Sequence, residues 1–516
     1  MYQAMKLSAS LEDRSTGSRS AFQMAATWAH TCLTEHNKCP KVSGLAFALL
    51  PTRVIDVGVP GGPENPRLHT GGTTAGLYFT LSYRWNQDNS QHFETVKSNL
   101  ESYSSNIPFC TLPQVMQDAI TITRKFGIRY IWIDALCIVQ DSIEDWAHEA
   151  AAMASIYKNS LLTIAVANDR DGQPSSCFRD RSRRHIRPVN INTQWPSGLD
   201  KYIFADRRLT KDGRRPPSAL DTRAWTFQEQ LLSPRVLSYS NEELYWDCTT
   251  LNASETFPNG IPSFYDATCN FLDERLFKEA IFGKSENPVS HERFHTSWRR
   301  VVENYSARQM TKETDKLVAL LGLVKEAAAF FEDKFLVGLW KKRLWIDLLW
   351  WVKEPLKSIR PKSFTAPSWS WISLNAAVSY DLEGFDSIDR LVKCLDIIYA
   401  DAESDGSLTN LSGTIVAKGR LVVMRPEVHL DAGREPPTPT WKADLGVTAS
   451  APIECFIIGT SMHYVYALGL APFEDSEAHY KRLGLVTWRV NPKVFGWDVE
   501  KQKWKDESDL RIITIL

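Results

Sequence analysis

The stretch from Leu77 to Ala167 constrains this chain most, because three apolar runs of strand length alternate there with two segments of helical period. LYFTLSY (Leu77 to Tyr83), IRYIWID (Ile128 to Asp134) and LLTIAVA (Leu161 to Ala167) read as buried strands. Between the first two, Pro113 opens a helix in which Val115, Ala119, Ile122 and Phe126 recur at helical spacing, and Gly127 is placed to stop it. Between the second two, Ser142 and Asp145 read as a capping box for a helix with Trp146, Ala150, Met153 and Tyr157 on one side. Strand, helix, strand, helix, strand with short loops predicts a right-handed parallel βαβαβ unit. Ligands of such sheets sit beyond the carboxyl ends of the strands. Those ends carry Ser82, Tyr83, Arg84 and Trp85 on one strand, and Asp134 and Cys137 on another.

Composition narrows what surrounds this unit. With 60 Lys plus Arg against 61 Asp plus Glu in 516 residues, no global field draws nucleic acid or an anionic membrane. The longest apolar stretches, from Leu317 and from Leu344, fall far short of the roughly 18 residues of a membrane span. Nine scattered cysteines and a charged N-terminal stretch without an apolar run predict a cytoplasmic chain with free thiols. Along the chain, residues 1–20 are expected to lack fixed structure, and 21–76 to form an N-terminal helix, strand and linker. The α/β domain is expected over 77–250, a helical Trp-rich region over 251–365 and a β-rich region over 366–516. Most of the 18 Trp, those of LWIDLLWW included, are expected in the core.

LSYRW (Leu81 to Trp85), IRYIWIDALCIVQD (Ile128 to Asp141) and RAWTFQEQLLSPRVL (Arg223 to Leu237) resemble the three hallmark motifs of the fungal heterokaryon incompatibility (HET) domain, in the family's order and spacing. The similarity covers about residues 77–250, and WAHTCLTEHNKC, LPTRVIDV and APSWSW resemble the flanks of full-length HET-like proteins. Two positions depart from the pattern: Asn86 stands where the family usually has Gly, and Asp247 where Glu is commoner. The resemblance implies a parallel-sheet core of Rossmann-like or Toll/interleukin-receptor-like (TIR-like) type. It also implies a cytoplasmic role in fungal self/non-self recognition, with programmed cell death as the output. The partner it implies is the product of an incompatible allele. Some TIR relatives cleave NAD, which makes NAD a candidate substrate and leaves no resident cofactor to account for. HET-like chains also accompany secondary-metabolite genes. A small-molecule biosynthetic enzyme and a non-enzymatic recognition or assembly module therefore stand as alternatives.

Cleaving an N-glycosidic bond needs a carboxylate for the oxocarbenium-like centre, an aromatic face for the leaving base and a cation for phosphate. Glu229, Trp85 and Arg223 supply those types, and Asp134 completes the candidate catalytic set of Glu229, Asp134 and Arg223. The expected ligand-binding set is Ser82, Tyr83, Trp85, Cys137, Trp225 and Gln228. The competing reading makes Arg223, Glu229 and Asp134 a buried scaffold network and Cys137 an inert core thiol.

Two metal patterns fall outside these sets. HERFH (His291 to His295) matches H-E-x-x-H, but it sits at a solvated helix start and no third ligand follows it. Cys32, His36 and Cys39 lack a fourth ligand and read as a helix end packing on the core. Neither is taken as a metal site. The arginine-rich FRDRSRRHIR (Phe178 to Arg187) reads as a solvated loop rather than a nucleic-acid surface.

Overall fold

The chain enters its first sheet through an antiparallel pair, β1 (Arg53–Asp56) and β2 (Arg67–Thr70), before the three apolar runs form β3 (Tyr78–Ser82), β4 (Tyr130–Trp132) and β5 (Leu162–Ala167). A separate hairpin, β6 (Val189–Thr193) and β7 (Lys201–Ala205), precedes β8 (Arg235–Ser240), β9 (Leu244–Cys248) and β10 (Asn252–Ser254). This is a computed structural model. It describes residues 15–42, 48–59, 65–85, 93–168, 175–181, 189–193, 201–205, 215, 217–241, 243–260, 271–283, 290–310, 313, 315–362, 366–382, 389–399, 412–424, 440–446, 452–461, 463–473, 478–489, 497–498, 503–504 and 508–516. Contacts divide the chain into two compact units, Met1–Arg300 and Val301–Leu516.

In the first unit the order across the sheet is β10-β9-β8-β5-β3-β4-β1-β2. The central four strands, β8, β5, β3 and β4, are parallel, and the flanking pairs are antiparallel. The centre is buried along its length, as apolar strands covered on both faces must be, whereas edge strand β2 alternates toward solvent. The chain moves from β3 to β4 on one side and then returns past β3 to β5. The strand order therefore reverses beside β3, and in sheets of this topology ligands bind beyond the carboxyl ends of the strands at such a reversal.

Helices α1 (Arg19–Thr34), α2 (Gln114–Lys125), α3 (Ile143–Asn159) and α4 (Ala224–Leu232) belong to this unit. Pro113 precedes α2, and Gly127 follows it at φ +72°, the left-handed conformation that ends a helix cheaply with glycine. The capping box of α3 is half formed. Ser142 accepts the Asp145 N–H, but the Asp145 carboxylate turns away to Arg53 and to the Val139 N–H. An ion pair with a strand outcompetes the reciprocal cap. Tyr78 on β3 donates to the Ile156 carbonyl at 2.6 Å, and Trp132 meets Tyr157 edge to face, so α3 is keyed to both β3 and β4.

Of the N-terminal stretch expected to lack fixed structure, residues 1–14 lie outside the described residues. Ser15 bridges to Asp180, Thr16 is buried and donates to the Cys177 carbonyl at 2.7 Å, and Ser18 caps α1. The arginine-rich segment is not wholly solvated. Arg181 is buried in an ion pair with Glu255 at 2.8 Å, while residues 182–187 lie outside the described residues.

In the second unit, Trp345 and Trp350 of LWIDLLWW and both tryptophans of APSWSW line a core, as their bulk predicts, while Trp351 is half-buried. Trp350, Trp369 and Trp371 are fully buried and donate their indole N–H groups to the carbonyls of Trp369, Gly413 and Gly338. The strands Gly413–Met424, Ile453–Thr460, Tyr464–Pro472, His479–Arg489 and Leu510–Ile515 pair in a ring that closes back on Gly413–Met424. Ile453, Ile457, Val465, Val486 and Trp488 pack together on its buried face. Among the described residues, no helix is long and apolar enough to cross a membrane.

One buried carboxylate ties α2 to the segment at 176–178. Asp118 accepts from Gln114 Nε2 (2.7 Å), Ser176 Oγ (2.6 Å) and the N–H groups of Cys177 (2.8 Å) and Phe178 (3.3 Å). Asp118→Ala strands buried donors and is expected to cost about 3 kcal/mol, seen as a lowered Tm, while Gln114→Ala costs under about 1 kcal/mol.

Candidate functional site

The end of β3 carries Ser82, Tyr83 and Trp85, and the turn after β4 carries Asp134. That turn is held from two directions. Arg53 of β1 donates Nε to the Cys137 carbonyl at 2.7 Å and pairs through Nη2 with Asp145, whose carboxylate also takes the Val139 N–H at 2.8 Å. Thr95 exchanges backbone hydrogen bonds with Ala135 and Gln140 and donates its hydroxyl to the Leu136 carbonyl at 2.7 Å. A chain of hydroxyls positions α4: Thr80 meets Thr163 at 2.6 Å, Thr163 meets Ser233 at 2.5 Å, and Ser233 donates to the Glu229 carbonyl. The helix carries Glu229, and its N-cap residue is Arg223.

These elements bring Ser82, Tyr83, Trp85, Asp134, Arg223 and Glu229 into one electrostatic cluster, with Tyr157 of α3 as a seventh member. Glu229 is only 6% exposed, and burial pushes its carboxyl up to about 7; the neighbouring Asp134 charge adds to this, while the Ser82 and Tyr157 hydroxyls and the Arg223 cation oppose it. Asp134 is also raised by burial, against the Trp85 indole N–H donating at 2.8 Å, the Ala135 N–H at 2.8 Å and the Arg223 charge. Burial holds the phenols of Tyr83 and Tyr157 well above the usual range, and the two carboxylates push them higher. Two carboxyls that titrate upward beside one guanidinium and two phenols can store and move a proton near neutral pH or stabilise a developing cation.

The match to known families runs through this cluster. Residues 78–229 match the family model of the heterokaryon incompatibility protein (HET). This segment is a HET domain. It begins at the first residue of β3 and ends at Glu229, so every member of the cluster lies inside it. The match points to a function of heterokaryon incompatibility type. No curated protein and no solved structure matches the chain.

The remaining expected site residues sit differently. Cys137 is fully buried, its sulfur accepts the Ile133 N–H at 3.5 Å, and burial pushes its thiol far up, so it supports the turn from the core side. Trp225 is half-buried on the first turn of α4, and Gln228 is buried with its Oε1 lacking a hydrogen-bond partner among the described residues. Asn86 lies outside the described residues. Tyr157 was legible only as a core position of α3, because nothing in its spacing shows that its hydroxyl donates to the Leu81 carbonyl, at 3.2 Å, within the electrostatic reach of Glu229. In HERFH, His291 and Glu292 are exposed at the start of their helix while His295 is buried, and among the described residues the three do not form a metal-holding group.

Burial raises Glu229 from 4.5 to about 7, so the folded HET domain binds that proton more tightly than the unfolded chain. The contribution is full below the unfolded value and is lost as pH rises through the folded one. Glu229→Gln, which cannot ionise, is expected to exceed the wild type by on the order of 3 kcal/mol at about pH 8 and to lose that advantage near pH 4, read from melting curves.

Proposed function

We propose that this chain is a cytoplasmic HET-domain effector of fungal self/non-self recognition that promotes cell death by cleaving the nicotinamide–ribose bond of NAD at the end of β3. The observation that carries this reading is Glu229, nearly covered, with its carboxyl pushed up to about 7 among Asp134, Arg223, Tyr83 and Tyr157. The reversal of strand order beside β3 supports grouping the core with Rossmann-like and TIR-like sheets, whose ligands occupy that position.

In the proposed reaction, Arg223 neutralises the dinucleotide phosphates and the half-buried face of Trp85 receives the base. The C1′–N bond breaks with its electron pair leaving on nicotinamide, and ionised Glu229 stabilises the cationic ribosyl centre. Water then bonds to C1′, giving ADP-ribose and releasing one proton. Asp134, whose carboxylate is held by the Trp85 indole and the Ala135 N–H, takes that proton.

The test is to incubate the purified chain with NAD and follow nicotinamide by chromatography. Release is expected to rise with pH through about 7, because the ionised carboxylate is the active form. Glu229→Gln is expected to lower the rate about a hundredfold and Arg223→Ala mainly to raise KM. No release at any protein concentration, or a folded Glu229→Gln variant at full rate, overturns the glycosidase reading. Toxicity that survives those cleft substitutions assigns the domain to recognition or assembly.

A further inference from the structure

Cys32, His36 and Cys39 were read from sequence as three donors without a fourth, and the fold corrects this. Cys248, at the end of β9, completes the set, and the four ligand atoms all lie within 4.8 Å of one another. We propose that Cys32, His36, Cys39 and Cys248 form a tetrahedral zinc site that clamps α1 and the turn after it to β9.

Three observations carry the site. The first is size. Donors placed about 2.3 Å from one ion at tetrahedral angles stand roughly 3.8 Å apart. Here His36 Nδ1 lies 3.5 Å from Cys248 Sγ and 3.9 Å from Cys39 Sγ. That is the span of a single ion, and Nδ1 is the nitrogen that faces it.

The second is charge. Arg235, on β8, is 1% exposed, and its partners are Cys32 Sγ at 3.2 Å and the carbonyls of Leu161 and Pro40. None of these groups is a carboxylate. A guanidinium buried that deeply requires a counter-charge. Zn²⁺ with three thiolates and a neutral imidazole carries a net charge of minus one, which neutralises Arg235.

The third is the outer shell. Each sulfur has its own polar neighbour: Arg235 Nε donates to Cys32, the Leu251 N–H donates to Cys248 at 3.2 Å, and the Thr250 hydroxyl lies 3.5 Å from Cys39 Sγ, where it can donate to a thiolate. Such donors hold thiolates in place and tune them for a metal. The donor chemistry, three soft sulfurs and one imidazole, selects zinc over the oxygen-ligated cations. The site lies apart from the HET cluster, and its chemistry does not depend on NAD cleavage.

The experiment uses the full chain purified under reducing conditions without chelators. Elemental analysis is expected to return one zinc per chain. Exchange with Co(II) is expected to give the visible absorption of a tetrahedral thiolate complex. Cys39→Ser and Cys248→Ser are expected to lose the metal, His36→Cys to keep it, and Cys110→Ser, at an exposed thiol, to leave it unchanged. Chelation of the wild type is expected to lower Tm reversibly, which tests the clamp even where a variant fails to fold. A reduced wild-type chain that binds neither added zinc nor cobalt overturns the proposal. So does a disulfide among Cys32, Cys39 and Cys248 in place of metal, or zinc retained by the folded Cys39→Ser and Cys248→Ser variants.

Discussion

The first unit is organised by one constraint: β3 is paired in parallel on both sides and buried along its length, so its side chains have no solvent to meet until the strand ends. Apolar burial fixes its register, since a one-residue slip would exchange the two faces of the strand. Once that register is set, Ser82, Tyr83 and Trp85 leave the sheet at one place, beside the reversal of strand order. The turn after β4 and helix α4 are aligned to the same strand end. The hydroxyl chain from Thr80 through Thr163 and Ser233 to the Glu229 carbonyl makes the dependence explicit, because it measures α4 against β3 across β5. The cluster is therefore a property of the sheet rather than of any loop.

Burial sets the chemistry there. Asp134 and Glu229 are both disfavoured as anions, and Arg223 together with the surrounding N–H and O–H donors offsets only part of that cost. A network built only to hold the fold gains more from a fully compensated ion pair or from apolar side chains. A carboxyl left near neutrality gives up stability at physiological pH, which is the usual sign that a site is organised for function.

The parallel core was legible because its period and its punctuation agree: apolar runs of strand length, a proline before α2, a glycine after it, a serine cap on α3. The antiparallel strands at both margins of the sheet were harder to read, since short hairpins such as β9 and β10 carry little periodic signal. Of the candidate site, Arg223 and Glu229 were found through the resemblance, and Ser82, Tyr83, Trp85 and Asp134 also through the position of the strand ends. Tyr157 escaped because a phenol on the apolar side of a helix looks like packing. Its ring does pack, against Trp132, while its hydroxyl donates to the Leu81 carbonyl on β3. For Cys137 the inert-thiol reading agrees with its full burial, and the backbone carbonyl that anchors Arg53 is invisible in a residue type.

The fourth ligand, Cys248, was hidden by distance along the chain, yet its local spacing agrees with what it meets. On α1, Ala21, Ala25, Trp28 and Cys32 form the buried stripe, at the spacing of one helical face. On β9, alternation puts Trp246 and Cys248 on one side and Asp247 on the other. The two patterns meet in order: Trp28 lies against Trp246, with ring centroids 6.4 Å apart, and the cysteines follow one step further along each element. Asp247 faces away and pairs with Lys278, so this short strand is held on both faces at once. Tryptophan packing and sulfur ligation are thus successive steps of one helix-on-strand contact. The same contact explains the location of Arg235: it lies on the neighbouring strand, where it can reach Cys32 without entering the tryptophan layer.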